Sequence, residues 1–379
     1  MFTNPFFLYS LTWLGVLLLY NFKISNLYPN ISNKLLFFIL FSAFISFLLS
    51  IFYSIKLKKY NNFKIIKGRY LSNYVFIYLL FIIEFIYEGK IPLIETLLKT
   101  GYMYKDFNGI KTLHVIIFTY NFYINLCCFN DFQYTKQKKY LFYNVLGIVP
   151  YILLYTRGPI LMLIVCEFFI WLSYKYKLKT IIKIGILGIV ILYIFGILGN
   201  LRHYYNWNDT RMIKNIAQIN TKKNILDPLI WGYVYITSPL GNLQNSLNET
   251  KPNYNIKSFV CENLLLDAVS KRLNYEKNSS KLMVENLTVS TAYVNSYLSC
   301  GIYGMNIIFF IYMFCEIIYI FILRKTKYRI IGVSLIIVLN IFSIFDNMFI
   351  YSGLSFCLIY PLIDVFKKKI KNIRRRNKI

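Results

Sequence analysis

The residues best suited to chemistry in this 379-residue chain are cations set among apolar neighbours. Arg157 stands in "LLYTRGPILML", midway through a run of thirty-five almost wholly apolar residues, Tyr140 to Tyr174. Arg202, His203 and Arg211 follow another apolar run, in "GILGNLRHYYNWNDTR". A guanidinium presents a planar fork of N–H donors that matches phosphate oxygens, so such arginines suit a phosphate or diphosphate ester. No D-x-D sequence occurs, so arginine rather than a carboxylate-held metal ion would neutralise that anion. Metal-ligand spacing is absent too, with no C-x-x-C and no H-E-x-x-H, and no cofactor is implied.

Each of these residues also has a plainer reading. Arg157 can snorkel to lipid headgroups, and Arg202, His203 and Arg211 can belong to a solvated loop. The proton acceptors in the same region are His203, Asp209, Asp227, Glu262 and Asp267. The charge of Arg202 favours the neutral, proton-accepting form of His203, which makes it the candidate base. In "TSPLGN", Ser238 and Pro239 most simply begin or end a helix, and Asn242 is a candidate sugar ligand. Glu84, Glu167 and Glu316 fall inside apolar runs, where acids are functional candidates by default. Glu167 lies too deep for chemistry at the membrane surface and reads as protonated or hydrogen-bonded between helices.

The elements that must carry these groups are membrane helices. With 57% hydrophobic and 19% aromatic residues, and apolar runs of about eighteen residues or more, the fold class is an all-α polytopic integral membrane protein. Hydropathy places ten spans, at 6–22, 35–55, 70–87, 112–129, 140–156, 158–174, 181–199, 302–323, 330–346 and 348–366. The chain thus divides into a membrane domain over 1–199, an external loop over 200–290 between spans seven and eight, a second membrane domain over 291–366, and a basic tail over 367–379. The two spans around Arg157 put it at a hairpin tip, with Gly158 and Pro159 making the turn. Asp346 and Asn347 mark the last such tip. The segments 89–111 and 228–243 carry Gly, Pro and polar residues that unsuit them to lipid, and are expected to be re-entrant or interfacial.

The net charge of +27 is read by location. With the N-terminus inside, five cytoplasmic segments hold 25 of the 43 Lys and Arg, as the positive-inside rule requires, and both termini are cytoplasmic. The basic runs are topogenic charge beside anionic lipid, not a nucleic-acid site. Of seven cysteines only Cys261 is clearly external, so no disulfide framework is implied.

In order and spacing, "GKIPL", "YKDFNGIKTLH", "LLYTRG", "GILGNLR", "YITSPLGNL" and "TAYVNSYLSCGIYGMNIIFFIYMF" resemble the oligosaccharide repeat-unit polymerases, the Wzy-type O-antigen polymerases, over residues 70 to 325. The resemblance implies a metal-independent glycosyltransferase of a bacterial inner membrane. It would transfer a glycan from undecaprenyl diphosphate to the terminal sugar of another lipid-linked repeat unit, building O-antigen or capsular polysaccharide. It assigns Arg157 and Arg202 to the diphosphate, with Arg211 added by proximity, and implies undecaprenyl-diphosphate-linked oligosaccharides, membrane lipid and a chain-length regulator as partners. The alternatives are a ligase using the same donor and a lipid-linked glycan flippase. Transporters are often built from two related halves, whereas this sequence has no visible repeat and one dominant external loop.

Overall fold

The computed structural model describes residues 2–57, 64–102, 104–175, 211–220, 228–275 and 277–376, with a few positions between 188 and 200. Arg202, His203, Asp209, Asp227 and most of the expected span 181–199 lie outside the described residues. Among the described residues the secondary structure is helical, apart from one antiparallel bridge between Ser25 and Ile219.

Local chemistry explains where the helices begin. Asn4 accepts the N–H groups of Phe6 and Phe7, and Pro5 opens α1 (Pro5–Asn21) where a missing amide costs nothing. Ser32 caps α2 (Asn33–Phe52) through the Leu35 amide. Next come α3 (Tyr70–Glu88), α4 (Leu113–Thr135), α5 (Lys138–Leu153) and α6 (Gly158–Tyr174). They are followed by α7 (Leu229–Glu249), α8 (Ile256–Asn263), α9 (Val294–Leu323), α10 (Arg329–Phe342) and α11 (Ile359–Arg376). Among the described residues four helices are long and apolar enough to cross a membrane: α2 with its extension to Lys56, α3, α4 and α9. Three shorter ones, α1, α6 and α10, are also apolar. At 1.5 Å per residue a 17-residue helix covers about 26 Å, a little under a hydrocarbon core of about 30 Å.

The core forms around α1 and α10. Tyr9 and Trp13 of α1 are buried, and their polar ends bond the Tyr293 hydroxyl at 2.6 Å and Ser343 Oγ at 3.1 Å. Leu335, Val338 and Leu339 of α10 are fully buried. Interior acids are bonded between helices, as burial demands: Asn144 donates to Glu167 at 2.6 Å, as expected for that acid, and Asn340 donates to Glu316 at 3.1 Å.

Among the described residues, hydrogen bonds tie the helix connections together at two ends. At the basic end, Asp131 at the close of α4 accepts the amides of Ile66 and Lys67, and Lys327 donates to the Ile66 carbonyl. At the loop end, Glu88 meets Gly109, Arg272 donates to Thr112 at 2.6 Å, and the Asp267 amide donates to the Ile350 carbonyl.

Three expectations are corrected. Gly158 and Pro159 are the first residues of α6 rather than the turn; the turn is closed by Tyr155, at φ 56°, with the Thr156 amide reaching back to the Tyr151 carbonyl. Proline's fixed φ suits a first helical turn, which explains the shift. Ser238 and Pro239 lie inside α7 rather than at its ends, in a helix buried enough for packing to offset the proline. The segment 348–366 is not one helix: a short helix (Ser352–Ser355) and a 3-10 turn (Phe356–Leu358) precede α11, which then continues through the basic residues to Arg376. The segment expected at 302–323 matches the second limb of α9, whose first turns, from Val294, end at a break where Gly301 takes φ 64°.

Helix α7 runs along the α1–α2 connection. Tyr233 bonds the Ile24 amide, Thr237 the Tyr28 hydroxyl and Gln244 the Ser32 amide. Twelve residues of α7, Tyr233 to Gln244, thus follow a connection that joins two adjacent helix ends, so α7 lies across the loop end.

Candidate active site at the loop end

Arg157 is exposed at the tip between α5 and α6, at the position preceding α6. Two buried neighbours fix it there: Leu154 is fully buried, and Thr156 returns its hydroxyl to the Tyr151 carbonyl at 3.2 Å. Arg211 is exposed at the start of a short helix, Arg211–Ile216. With Arg202 and His203 outside the described residues, the described part of the expected cation group is Arg157 and Arg211.

Asn242 is fully buried and committed to the fold. Its Nδ2 donates to the carbonyls of Leu287 and Val289 at 2.5 and 2.7 Å, and its Oδ1 accepts the Met283 amide at 2.9 Å. One side chain thereby pins the 283–289 loop onto α7. Its hydrogen-bonding capacity goes to that loop rather than to an open face, where a sugar ligand was expected of it.

Two of the expected proton acceptors are similarly occupied. Glu262 accepts the backbone amide and the side-chain amide of Asn278 at 2.8 and 3.1 Å. Burial pushes its carboxyl above the usual range, and the Asn278 donors and Lys277 partly oppose that shift. Asp267 accepts the amide of Ser352 at 2.9 Å and its hydroxyl.

The structure assembles a group that the sequence did not announce. Glu84, fully buried near the end of α3, accepts His114 Nδ1 at 2.8 Å and the Ile110 amide at 3.2 Å. The Tyr104 hydroxyl lies 3.4 Å from the other ring nitrogen, Nε2, and the Phe107 and Phe118 rings flank the imidazole. A carboxylate on Nδ1 fixes the tautomer that leaves Nε2 as an acceptor. The 108–110 loop holds the acid in place: Gly109, at φ 55°, would bring a Cβ to 3.1 Å from Glu84 Oε1, and its amide donates to Glu88 at 3.2 Å. The sequence signals were an acid in an apolar run and a histidine thirty residues later, and no spacing rule joins them.

Comparison with protein-family models, with curated proteins and with solved structures gives no match to the chain.

Proposed function

We propose that the chain polymerises polyprenyl-diphosphate-linked oligosaccharide repeat units at the outer face of a bacterial inner membrane. In this reading ten spans cross the bilayer, the basic end is cytoplasmic and the loop end is external. One observation carries the proposal beyond the sequence resemblance. The described pieces "GKIPL", "YKDFNGIKTLH" and "YTRG", and the helix holding "YITSPLGNL", are far apart in the chain yet all lie at the loop end. Loops that share one end suit a shared site.

The chemistry asks little of the protein beyond positioning and charge. An acceptor sugar hydroxyl attacks the anomeric carbon of the donor glycan. The bond from that carbon to the diphosphate oxygen breaks, and its electron pair leaves on the diphosphate. Arg157 and Arg202, with Arg211, neutralise that leaving group, and a base takes the hydroxyl proton. His203 is the base expected from the sequence, and the described residues add His114, whose Nε2 accepts while Glu84 steadies the imidazolium. No metal is needed for either step.

Deleting the gene tests the reading. A polymerase deletion leaves surface glycan that carries a single repeat unit, because ligation continues without polymerisation. Complete loss of surface glycan would instead indicate a flippase or a ligase.

A further inference from the structure

A groove of about 920 Å³ opens at the loop end between the start of α2, the end of α7 and the break in α9. Its walls differ in chemistry. Lys34 and Asn248 supply a cation and an amide, and Tyr254 and Tyr303, 70% and 78% exposed, supply two aromatic faces. Phe37, 68% exposed, lies where the groove meets the outer surface of α2. The break in α9 shapes it: Gly301 is packed against Pro252 and the Tyr254 hydroxyl, within 4 Å of where its Cβ would stand.

From this groove an apolar furrow runs toward the basic end. Phe37 stacks on Phe41 at 5.8 Å, and Phe41 meets Phe310 of α9 edge-on at 6.2 Å. Exposed Phe44 and Phe314 continue the two sides. Both helices are among those long and apolar enough to cross a membrane, so the furrow would face lipid.

We propose that the groove receives the saccharide-phosphate end of a lipid-linked oligosaccharide whose isoprenoid chain lies along the furrow; this rests on the polymerase reading above. The C–H faces of a sugar ring carry partial positive charge and settle on the negative face of an aromatic ring, as Tyr254 and Tyr303 offer. Asn248 suits hydroxyl groups and Lys34 a phosphate. The cavity falls at the upper end of the roughly 300 to 1,000 Å³ range of ligand sites, which suits several sugars. Continuity with the furrow selects a glycan still attached to its lipid over a free one.

The test uses the full chain in nanodiscs of phosphatidylethanolamine and phosphatidylglycerol, with undecaprenyl-diphosphate-linked N-acetylhexosamine as the probe, and measures bound probe by native mass spectrometry. Wild type should retain the probe against excess phosphatidylglycerol, and the double variant Tyr254→Ala/Tyr303→Ala should bind it about tenfold or more weakly, as expected for two lost ring contacts. Tyr303→Phe keeps the ring and should bind as wild type does, which separates lost stacking from lost folding. Equal binding by the double variant, no binding by wild type, or displacement by phosphatidylglycerol alone would overturn the proposal. Tyrosine-dependent binding in a protein that fails to polymerise would sustain the groove and sink the polymerase reading instead.

Discussion

Glu84 and His114 show how a buried pair can organise a surface loop. The carboxylate is sealed from water and receives an imidazole N–H and a backbone amide, so removing it strands both donors at once. Glu84→Ala should therefore cost about 3 kcal/mol, the scale for breaking a buried pair, measured as a lowered unfolding midpoint in detergent. Asn242→Ala should cost about 2 kcal/mol by unpairing the Leu287 and Val289 carbonyls and the Met283 amide. Limited proteolysis should then cut within 283–289, and an uncut loop would show that other contacts hold it. Glu262 gives a pH signature. Its folded pKa is raised by burial, so the folded state binds its proton more tightly than the unfolded state does. The stability it contributes is present below the ordinary glutamate pKa and is lost as pH rises through the folded value. Glu262→Gln should flatten that decline in a titration of unfolding midpoint against pH.

At the scale of elements, the break in α9 separates a turn packed at the loop end from a limb suited to lipid. Gly301 allows it, since φ 64° is costly for a residue with a Cβ. Gly301→Ala should destabilise by about 1 to 2 kcal/mol and, by shifting the first limb against Pro252, should weaken whatever the groove binds. Long apolar runs made most helices legible: 6–22, 35–55, 70–87 and 158–174 each lie close to an observed helix. Hydropathy failed where apolar composition and helical geometry part company. Residues 348–366 are apolar enough for one span, yet the chain is held at Asp267 by Ser352 and turns through a 3-10 segment before α11 begins. The Glu84–His114 pair was illegible for a different reason. Its geometry depends on how the 108–110 loop folds over the end of α3, which no local pattern encodes.

For the whole molecule, the two ends differ in charge and in architecture. Among the described residues the basic connections 64–69, 136–139 and 324–329 lie at one end, and the described motif-bearing segments, with α7 laid across the α1–α2 connection, lie at the other. A reporter fused after Asn248 should read external and one after Lys327 internal; both on one side would mean that α7 spans the bilayer. The central proposal is that the guanidinium forks of Arg157 and Arg202 grip a diphosphate, and lysine tests it because lysine keeps the charge and lacks the fork. Charge-assisted hydrogen bonds are worth roughly 1.5 to 3 kcal/mol each, about ten- to a hundred-fold in rate if lost from the transition state. The direct measurement is the length of the surface-glycan ladder from Arg157→Lys and Arg202→Lys at matched membrane abundance. Collapse toward single repeat units in both variants is the predicted result, and wild-type ladders from both would contradict it.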